Sequence, residues 1–415
     1  MRDRIYLCLA HMSGKEQAYI QEAFDTNWVV PLGPNVDNFE KDLEAFCGRG
    51  KRVVALSSGT AAVHLALINC GVVPGDEVLV QSFTFCASSH PITYLGATPV
   101  FIDSEPDTWN MDPDLLEEAI VDRIEKTGRK PKAIVPVALY GMPYQIDRIM
   151  AIAEKYGIPV VEDAAEGLGS RYNGQVLGTF GRFGVLSFNG NKMITTSGGG
   201  ALITPDEDSW NEAKMYATQY RDSYPYYHHS KIGYNYRMSN ICAGIGRGQM
   251  TVLDGHIAHH QHVQGLYENL LADVPFIRVH SQPSACGYDS NYWLCTITID
   301  PYAQVKGQEK AYKSVVKGAI GGASGIIHMV DSAHTDCEPN VNVEALRMCL
   351  DERGIESRPL WKPMHKQPVY KDAPAYVNGV SESLFKVGMY LPSGPCVSDD
   401  DVRYIVDEIK DAFIR

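Results

Sequence analysis

Between about residues 53 and 203, short apolar runs alternate with stretches that have the length and composition of helices. The apolar runs are "RVVAL", "DEVLV", "ATPVF", "KAIVPVAL", "IPVV" and "FGVLSF", and the helical stretches include "TAAVHLALINCG" and "QIDRIMAIAEKYG". Apolar strands separated by helices predict a largely parallel sheet that is buried on both faces. This part of the chain is therefore predicted to be α/β, with its chemistry at the carboxyl ends of the strands.

The pattern changes near residue 240. The stretch "NICAGIGRGQMTVLDGHIAHHQHVQGLYENLL" contains few helix breakers and predicts one long helix. A mixture of strand-like and helix-like segments follows, so we expect a large domain over residues 1–250 and a smaller α+β domain over residues 251–415. Residues 301–340 are rich in Gly, Ala, Lys and Ser, which predicts an insertion or a mobile loop.

Composition excludes several classes of protein. The 415 residues carry 37 basic and 50 acidic side chains, a net charge of −13, which argues against binding to nucleic acid or to an anionic membrane. The apolar run before His11 is too short for a signal peptide, and no stretch approaches the ~20 residues of a membrane span. The ten cysteines form no C-x-x-C pair. We expect reduced thiols in a cytoplasmic protein.

Four histidines lie close together in "GHIAHHQH". His256, His259 and His260 fall on one face of the predicted helix, and two histidines at such a spacing can bind a metal. No carboxylate signature accompanies them, so a solvated helix face is the preferred interpretation. No metal site is predicted.

Three strand ends carry candidate chemistry. In "LSSGTAAVHLAL", Ser58, Gly59 and Thr60 stand between a strand and an almost wholly apolar helix, whose buried N-terminus could hold an anion. A plain helix cap is an equally good interpretation of Ser58 or Thr60. In "IPVVEDAAEGLGS", Asp163 follows an apolar strand, and a carboxylate there needs a positive or hydrogen-bonding partner unless it only caps a helix.

The third strand end is "GVLSFNGNKMITTSGGG", where Lys192 follows the strand by a few residues. A lysine amine that is partly withdrawn from water loses its proton more readily and becomes a nucleophile. Taken by itself, the segment could also be a surface loop. Together with a phosphate cradle and a buried aspartate, however, the lysine indicates a pyridoxal phosphate site, and "QSFTFCASSH" could supply an aromatic ring to stack on that cofactor.

The chain resembles the DegT/DnrJ/EryC1/StrS sugar-nucleotide aminotransferases over nearly its whole length. The resemblance is carried by "WVVPLGPNVDNFEKDL", "SSGTAAVHLAL", "FTFCASSHPITYLGATPVFID", "VEDAAEGLGS", "FGVLSFNGNKMITTSGGGAL", "GYNYRMSN" and "ESRPLWKPMHKQPVY". It implies the pyridoxal-phosphate-dependent transferase fold of type I, with a mostly parallel seven-stranded sheet between helices. It also implies a homodimer with shared active sites.

The resemblance also implies roles for individual residues. Lys192 and Asp163 would be catalytic, as the Schiff-base lysine and the partner of the pyridine nitrogen. The expected cofactor-binding residues are Ser58, Gly59, Thr60, Phe85, Asp163, Glu166, Ser187, Asn189, Lys192 and, from the neighbouring subunit, Asn235. The expected substrate-binding residues are Trp28, Arg358, Trp361 and His365.

The motif "PLWKPMH" is most like that of members that aminate C4 of UDP-linked 4-keto-6-deoxy-N-acetylhexosamines, with glutamate as amino donor, for surface glycan biosynthesis. An alternative is amination at C3 of a dTDP-linked keto sugar. A sugar dehydratase is disfavoured, because relatives of that kind have histidine in place of the lysine. A non-catalytic regulator that binds a nucleotide sugar also stays open.

Overall fold

The computed structural model describes residues 3–311 and 337–414. Its α-helices are α1 (Glu16–Asp25), α2 (Pro34–Cys47), α3 (Gly59–Asn69), α4 (His90–Tyr94), α5 (Pro113–Thr127), α6 (Ile146–Tyr156), α7 (Glu207–Ala217), α8 (Asn240–Met250), α9 (Leu253–Leu271), α10 (Val341–Glu352), α11 (Val380–Val387) and α12 (Asp399–Ala412). Its strands are β1 (Arg52–Leu56), β2 (Glu77–Gln81), β3 (Thr98–Ile102), β4 (Ala133–Val135), β5 (Val161–Asp163), β6 (Arg171–Tyr172), β7 (Gln175–Val176), β8 (Phe183–Ser187), β9 (Gly200–Thr204), β10 (Ile277–Val279), β11 (Tyr288–Asp289), β12 (Cys295–Ile299), β13 (Arg358–Pro359), β14 (Ala375–Tyr376) and β15 (Gly388–Leu391).

The central sheet has the strand order β1-β9-β8-β5-β4-β2-β3. Two four-stranded segments, β1-β9-β8-β5 and β14-β3-β2-β4, are joined by parallel bridges from Ile134 to Val160 and from Val137 to Asp163. Only β9 runs antiparallel to its neighbours. The predicted fold class and its mostly parallel seven-stranded sheet are confirmed, and the short β14 from the C-terminal part adds an edge strand that the pattern did not predict.

Burial explains why these strands are apolar along their whole length. Every residue of β8 and β9, and all of β1 after Arg52, is buried. Helix α3 lies against β8 and β9 and is itself buried over most of its length. Its N-terminus therefore opens among the strand ends rather than into bulk water.

The C-terminal part forms an antiparallel sheet of order β10-β12-β15-β13, with α9, α10 and α12 around a second core. The one long helix predicted from residue 240 is wrong, because the chain breaks at Thr251–Val252 into α8 and α9. Helix α8 packs on α1 and α2, whereas α9 packs on α12 and β10, so the two helices need different axes. The division at residues 250 and 251 stays a prediction.

Most of the insertion predicted at residues 301–340 lies outside the described residues. Each of the ten cysteines is a free thiol in this structure. Over residues 3–311 and 337–414, no helix combines the length and the apolar composition that crossing a membrane requires.

Candidate active site

A cavity of about 710 Å³ opens at the carboxyl ends of β1, β2, β5 and β8. Its volume lies within the range of small-molecule sites, roughly 300–1,000 Å³. Eleven of the predicted site residues line it, from segments far apart in the chain: Ser58, Gly59, Thr60, Phe85, Asp163, Glu166, Ser187, Asn189, Lys192, Arg358 and Trp361.

The N-terminus of α3 forms one wall of this cavity. Ser58 caps the helix, since its Oγ accepts a hydrogen bond of 3.0 Å from the backbone N–H of Ala61. The first backbone N–H groups of a helix have no partner within it, and they favour an anion at that end. A Cβ atom at Gly200 would lie 2.4 Å from the Gly59 backbone nitrogen, so only glycine lets β9 approach these N–H groups.

Asp163 ends β5 at the floor of the cavity. Its Oδ2 accepts a hydrogen bond of 2.6 Å from Ser88 Oγ, and its Oδ1 accepts one of 3.1 Å from the Ala165 backbone N–H. The carboxyl group is buried, and loss of hydration raises its pKa above the ordinary value against these hydrogen bonds. A positive group on its open side would therefore be strongly favoured.

Lys192 reaches into the same space from the loop after β8. Its Nζ lies 3.1 Å from Glu166 Oε1 and 3.9 Å from the centre of the Trp293 ring. The side chain is only 13% exposed, and its amine contacts one carboxylate and one aromatic face.

Glu166 is fixed from several directions. Its Oε2 accepts a hydrogen bond of 2.7 Å from the Tyr140 backbone N–H, and its own carbonyl oxygen accepts one of 2.8 Å from Asn291 Nδ2. Burial raises the pKa of the Glu166 carboxyl group, and the charge of Lys192 opposes this shift. Lys192 is paired with Glu166, whereas Asp163 is held by a hydroxyl and a backbone N–H.

Aromatic and charged side chains form the mouth of the cavity. Phe85 is 55% exposed, with its ring centre 5.6 Å from that of Trp361. Arg358 Nη2 donates a hydrogen bond of 2.8 Å to Glu356 Oε1, and Glu356 Oε2 also accepts one from the Leu7 backbone N–H. Arg358 is thus the cation at this end of the cavity, already paired within the chain.

Three predicted site residues do not line the cavity of this single chain. Trp28 lies at the surface, where its carbonyl oxygen accepts a hydrogen bond from Asn240 Nδ2. His365 is half-buried and hydrogen-bonds through Nδ1 to Ser82 Oγ at 2.6 Å. Asn235 is exposed, and the sequence predicts its role for the neighbouring subunit's site.

Several cavity residues were missed from the sequence. They include residues 6–10 at the N-terminus, together with Ser88, Trp293 and Glu356. Ser88 lies in the strand-end segment "QSFTFCASSH", so its hydroxyl could have been considered. Glu356 begins the motif "ESRPLWKPMHKQPVY", in which the sequence analysis gave it no role. Trp293 and residues 6–10 carry no local signal, because only packing brings them near Lys192.

The interpretation of the histidines as a solvated face is wrong for most of them. His256 and His260 are buried, and the partly buried His259 donates a hydrogen bond of 3.1 Å through Nε2 to the Gly394 carbonyl oxygen. His262 alone of the four is exposed, where it contacts Asp399. Within the described ranges, no cluster of three or more His, Cys, Asp or Glu side chains could hold a metal ion.

Comparison with known proteins decides the family. A sequence model of the DegT/DnrJ/EryC1/StrS aminotransferase family matches residues 11–323 and 326–410. The chain belongs to this family. It is 42% identical over 421 residues to EpsN of Bacillus subtilis, which is named as a pyridoxal phosphate-dependent aminotransferase, and the match covers 100% of this chain and 97% of that protein.

Two further relatives agree with this assignment to the DegT/DnrJ/EryC1/StrS family. GDP-perosamine synthase of Caulobacter vibrioides is 33% identical, with 99% of each chain covered. The crystal structure of a DegT/DnrJ/EryC1/StrS aminotransferase from Brucella abortus superposes with a TM-score of 0.81 at 29% identity, covering 96% of this chain and 95% of that one.

The cofactor of these DegT/DnrJ/EryC1/StrS aminotransferases, pyridoxal phosphate, fits the residues present. The free N–H groups of α3 suit its phosphate, and the Gly59 backbone is close-packed against Ser187 and Gly200 without blocking them. The uncompensated acid Asp163 suits a protonated pyridine nitrogen. Lys192 lies in the same cavity, within reach of Glu166.

Proposed function

We propose that this aminotransferase moves the amino group of glutamate to C4 of a UDP-linked 4-keto-6-deoxy-N-acetylhexosamine. The observation that carries the proposal is the placement of Lys192 against Glu166 in a cavity that also holds the buried Asp163. The motif "ESRPLWKPMHKQPVY" supports the C4 position and the sugar class.

Pyridoxal phosphate, when bound, supplies an electron sink for the carbanion that forms as a substrate carbon loses its proton. In this proposal Lys192 carries that proton between carbon positions, first as base and then as acid. Glu166 is positioned to hold the Lys192 amine by the hydrogen bond of 3.1 Å between them. Its burial keeps water from competing for this contact.

Asp163 is proposed to hold a proton on the pyridine nitrogen. The hydrogen bonds from Ser88 and Ala165 fix the direction of the carboxylate, so it need not reorganise during the reaction. The N–H groups of Gly59 and Thr60, with the hydroxyls of Thr60 and Ser187, are proposed to bind the phosphate. Asn189 is proposed to support the loop that carries Lys192, because the Asn189 carbonyl oxygen accepts a hydrogen bond of 2.9 Å from the Lys192 backbone N–H.

The mouth of the cavity is proposed to bind the second substrate. Arg358 would meet an anionic group of the donor or of the nucleotide diphosphate, and the rings of Trp361 and Phe85 would pack on the sugar or the cofactor. Trp28 and His365 are also proposed substrate contacts, although neither lines the cavity of this single chain.

Other substrates differ in the nucleotide base and in the sugar carbon that carries the keto group. A relative named GDP-perosamine synthase shows that the family includes proteins named for a GDP-linked sugar. Amination at C3 of a dTDP-linked keto sugar is the second candidate, and both share the proposed roles of Lys192 and Asp163. A regulator without catalysis is a third, and it would not exchange an amino group with glutamate.

The experiment loads the protein with the amino form of the cofactor and compares keto sugar nucleotides. UDP-linked 4-keto and dTDP-linked 3-keto substrates are assayed for kcat/KM, with GDP-linked 4-keto substrates alongside and the product stereochemistry determined by NMR. We expect the UDP-linked 4-keto sugar to be preferred. A tenfold preference for another substrate, equal to about 1.4 kcal/mol, contradicts the substrate assignment. If no amino group is transferred from glutamate, the proposed aminotransferase activity with this donor is wrong.

A further inference from the structure

The backbone that follows Lys192 is held from behind by two helices. His256, on α9, has its Nδ1 3.1 Å from the carbonyl oxygen of Met193. Gln249, at the end of α8, accepts a hydrogen bond of 3.3 Å through Oε1 from the Thr195 backbone N–H. Both side chains are buried, so these contacts do not compete with bulk water.

The same two side chains also contact His11, in the N-terminal segment. Gln249 Nε2 donates a hydrogen bond of 2.8 Å to the His11 carbonyl oxygen. His256 Nε2 lies 3.3 Å from His11 Nδ1, and the two rings meet edge to face with their centres 5.4 Å apart. Residues 6–10, just before His11, line the cavity. His11 therefore joins the N-terminal wall of the cavity to the loop that carries Lys192.

The partners fix the protons on this pair of rings. A carbonyl oxygen can only accept, so Nδ1 of His256 must carry a hydrogen. In a neutral His256 ring Nε2 then accepts, and His11 Nδ1 must donate to it. A second proton on the His256 ring, at Nε2, would set two N–H groups against each other.

The surroundings of His256 oppose that second proton. The ring is 6% exposed, and loss of hydration lowers its pKa below the usual 6.5. Of the charged or titratable groups facing it, His11 and His259 also lower this pKa, while Glu16 on α1 and the hydrogen bond to the Met193 carbonyl raise it. Protonation of His256 therefore requires more acidic solution than that of an ordinary histidine.

We propose that His11 and His256 are positioning residues for Lys192, which hold its loop against the N-terminal wall of the cavity. This rests on the proposed role of Lys192. The pair acts through the Met193 backbone and touches no reacting atom. A displacement on the order of 1 Å at a catalytic group costs about 100-fold in rate, so loss of this support lowers the proton transfer by Lys192.

The test uses the full-length holoenzyme and two variants of one residue. His256→Phe keeps the ring but removes the donor to Met193, whereas His256→Asn keeps a short N–H donor and cannot titrate. His262→Asn, at an exposed histidine of the same helix, is the control. Single-turnover reaction with glutamate is followed from pH 5.5 to 8.5, along with the cofactor absorbance without substrate.

We expect His256→Phe to react with glutamate about tenfold more slowly at pH 8, with glutamate affinity changed less than about threefold. His256→Asn should recover most of the rate and should lack the fall in rate that we expect of the wild type in acidic solution. His262→Asn should match the wild type. A His256→Phe rate within about twofold of wild type, or an unchanged acid limb in His256→Asn, overturns the proposal.

If His256→Phe does not fold, His11→Ala provides the test, because His11 is exposed and its replacement leaves the core intact. It should move the acid limb of the rate and of the cofactor absorbance, and an unchanged profile contradicts the proposal. Borohydride reduction and peptide mapping of the wild type distinguish a failure of the proposed role of Lys192 from a failure of the proposed positioning role of His11 and His256. A label on another lysine contradicts the role of Lys192 itself, whereas a label on Lys192 with unaltered variants contradicts only the positioning role.

Discussion

At the scale of single residues, the site combines one lysine with two buried acids that have different surroundings. Asp163 is held by a hydroxyl and a backbone N–H, while Glu166 is held by Lys192 and by the Tyr140 backbone. Burial raises the pKa of both carboxyl groups. The charge of Lys192 opposes this pKa shift at both carboxyl groups, by direct contact at Glu166 and from farther away at Asp163. A bound cation would therefore stabilise the carboxylate of Asp163 more than that of Glu166.

Replacing Lys192 tests the covalent attachment of the cofactor. Lys192→Ala should lose transamination while still binding cofactor without a covalent bond. Lys192→Arg keeps a positive charge beside Glu166 but should be equally inactive, because a guanidinium group does not give up its proton. Borohydride reduction of the wild type, followed by peptide mapping, should find the pyridoxyl group on Lys192.

Replacing Asp163 tests its charge separately from its shape. Asp163→Asn keeps the shape, since its Oδ1 can still accept from the Ala165 N–H while its Nδ2 donates to Ser88 Oγ, but it loses the negative charge. Turnover should therefore fall by an amount on the order of a few kcal/mol in barrier. Ser88→Ala is the matched control, since it removes one hydrogen bond and keeps the charge, and its loss should be smaller. Near-normal turnover in Asp163→Asn would disagree with the proposed role.

At the scale of elements, close approach between β9 and the start of α3 shapes the anion cradle. A Cβ at Gly200 would meet the backbone of Ser58 and Gly59 at 2.4 Å, which no rotamer change can relieve. Gly200→Ala should therefore push the cradle open, at ~1–3 kcal/mol, and weaken cofactor binding. Cofactor titration of the apoprotein measures this. Gly265→Ala, where an added Cβ meets nothing within 4 Å, should bind normally.

Glu162 links β5 to the loop before β8 and makes stability depend on pH. Its carboxyl group accepts hydrogen bonds from the backbone N–H groups of Gly178, Phe180 and Gly181, yet burial raises its pKa to about 7 from 4.5. An unfolded chain releases this proton at lower pH, so the contribution to stability is full below pH 4.5 and is lost as pH rises towards 7.

A comparison of wild type with Glu162→Gln should reveal this dependence. The unfolding free energy of the wild type minus that of Glu162→Gln should change by roughly 3 kcal/mol between pH 4.5 and 7. This figure follows from the shift of the Glu162 pKa from 4.5 to about 7, at 1.36 kcal/mol per pKa unit. Urea unfolding at several pH values measures it, with the exposed Glu154→Gln as control. A constant difference across this range would show that Glu162 ionises normally in the folded chain.

At the scale of the whole molecule, the site is expected to be shared between two subunits. Asn235 is exposed and lies outside the cavity of its own chain, next to Tyr236, whose carbonyl oxygen accepts a hydrogen bond from Ser57 at the cradle. Mixing Lys192→Ala with Asn235→Ala subunits should therefore restore part of the activity, because one of the two sites in a mixed dimer is intact. Fully active monomers in sedimentation at assay concentration would rule this out.

The sequence by itself predicted the mostly parallel sheet and the family, and it placed Ser58–Thr60, Asp163 and Lys192 at strand ends. These features are local: an apolar run sets a buried strand, a small polar residue starts a helix, and a chemical side chain follows a strand end directly. Only the tertiary structure decided that α8 and α9 separate, that His256 and His260 are buried, and that Trp293 and residues 6–10 enclose Lys192. Such contacts join residues from distant parts of the chain. They depend on how whole elements pack against one another, which the spacing of residues within one element does not specify.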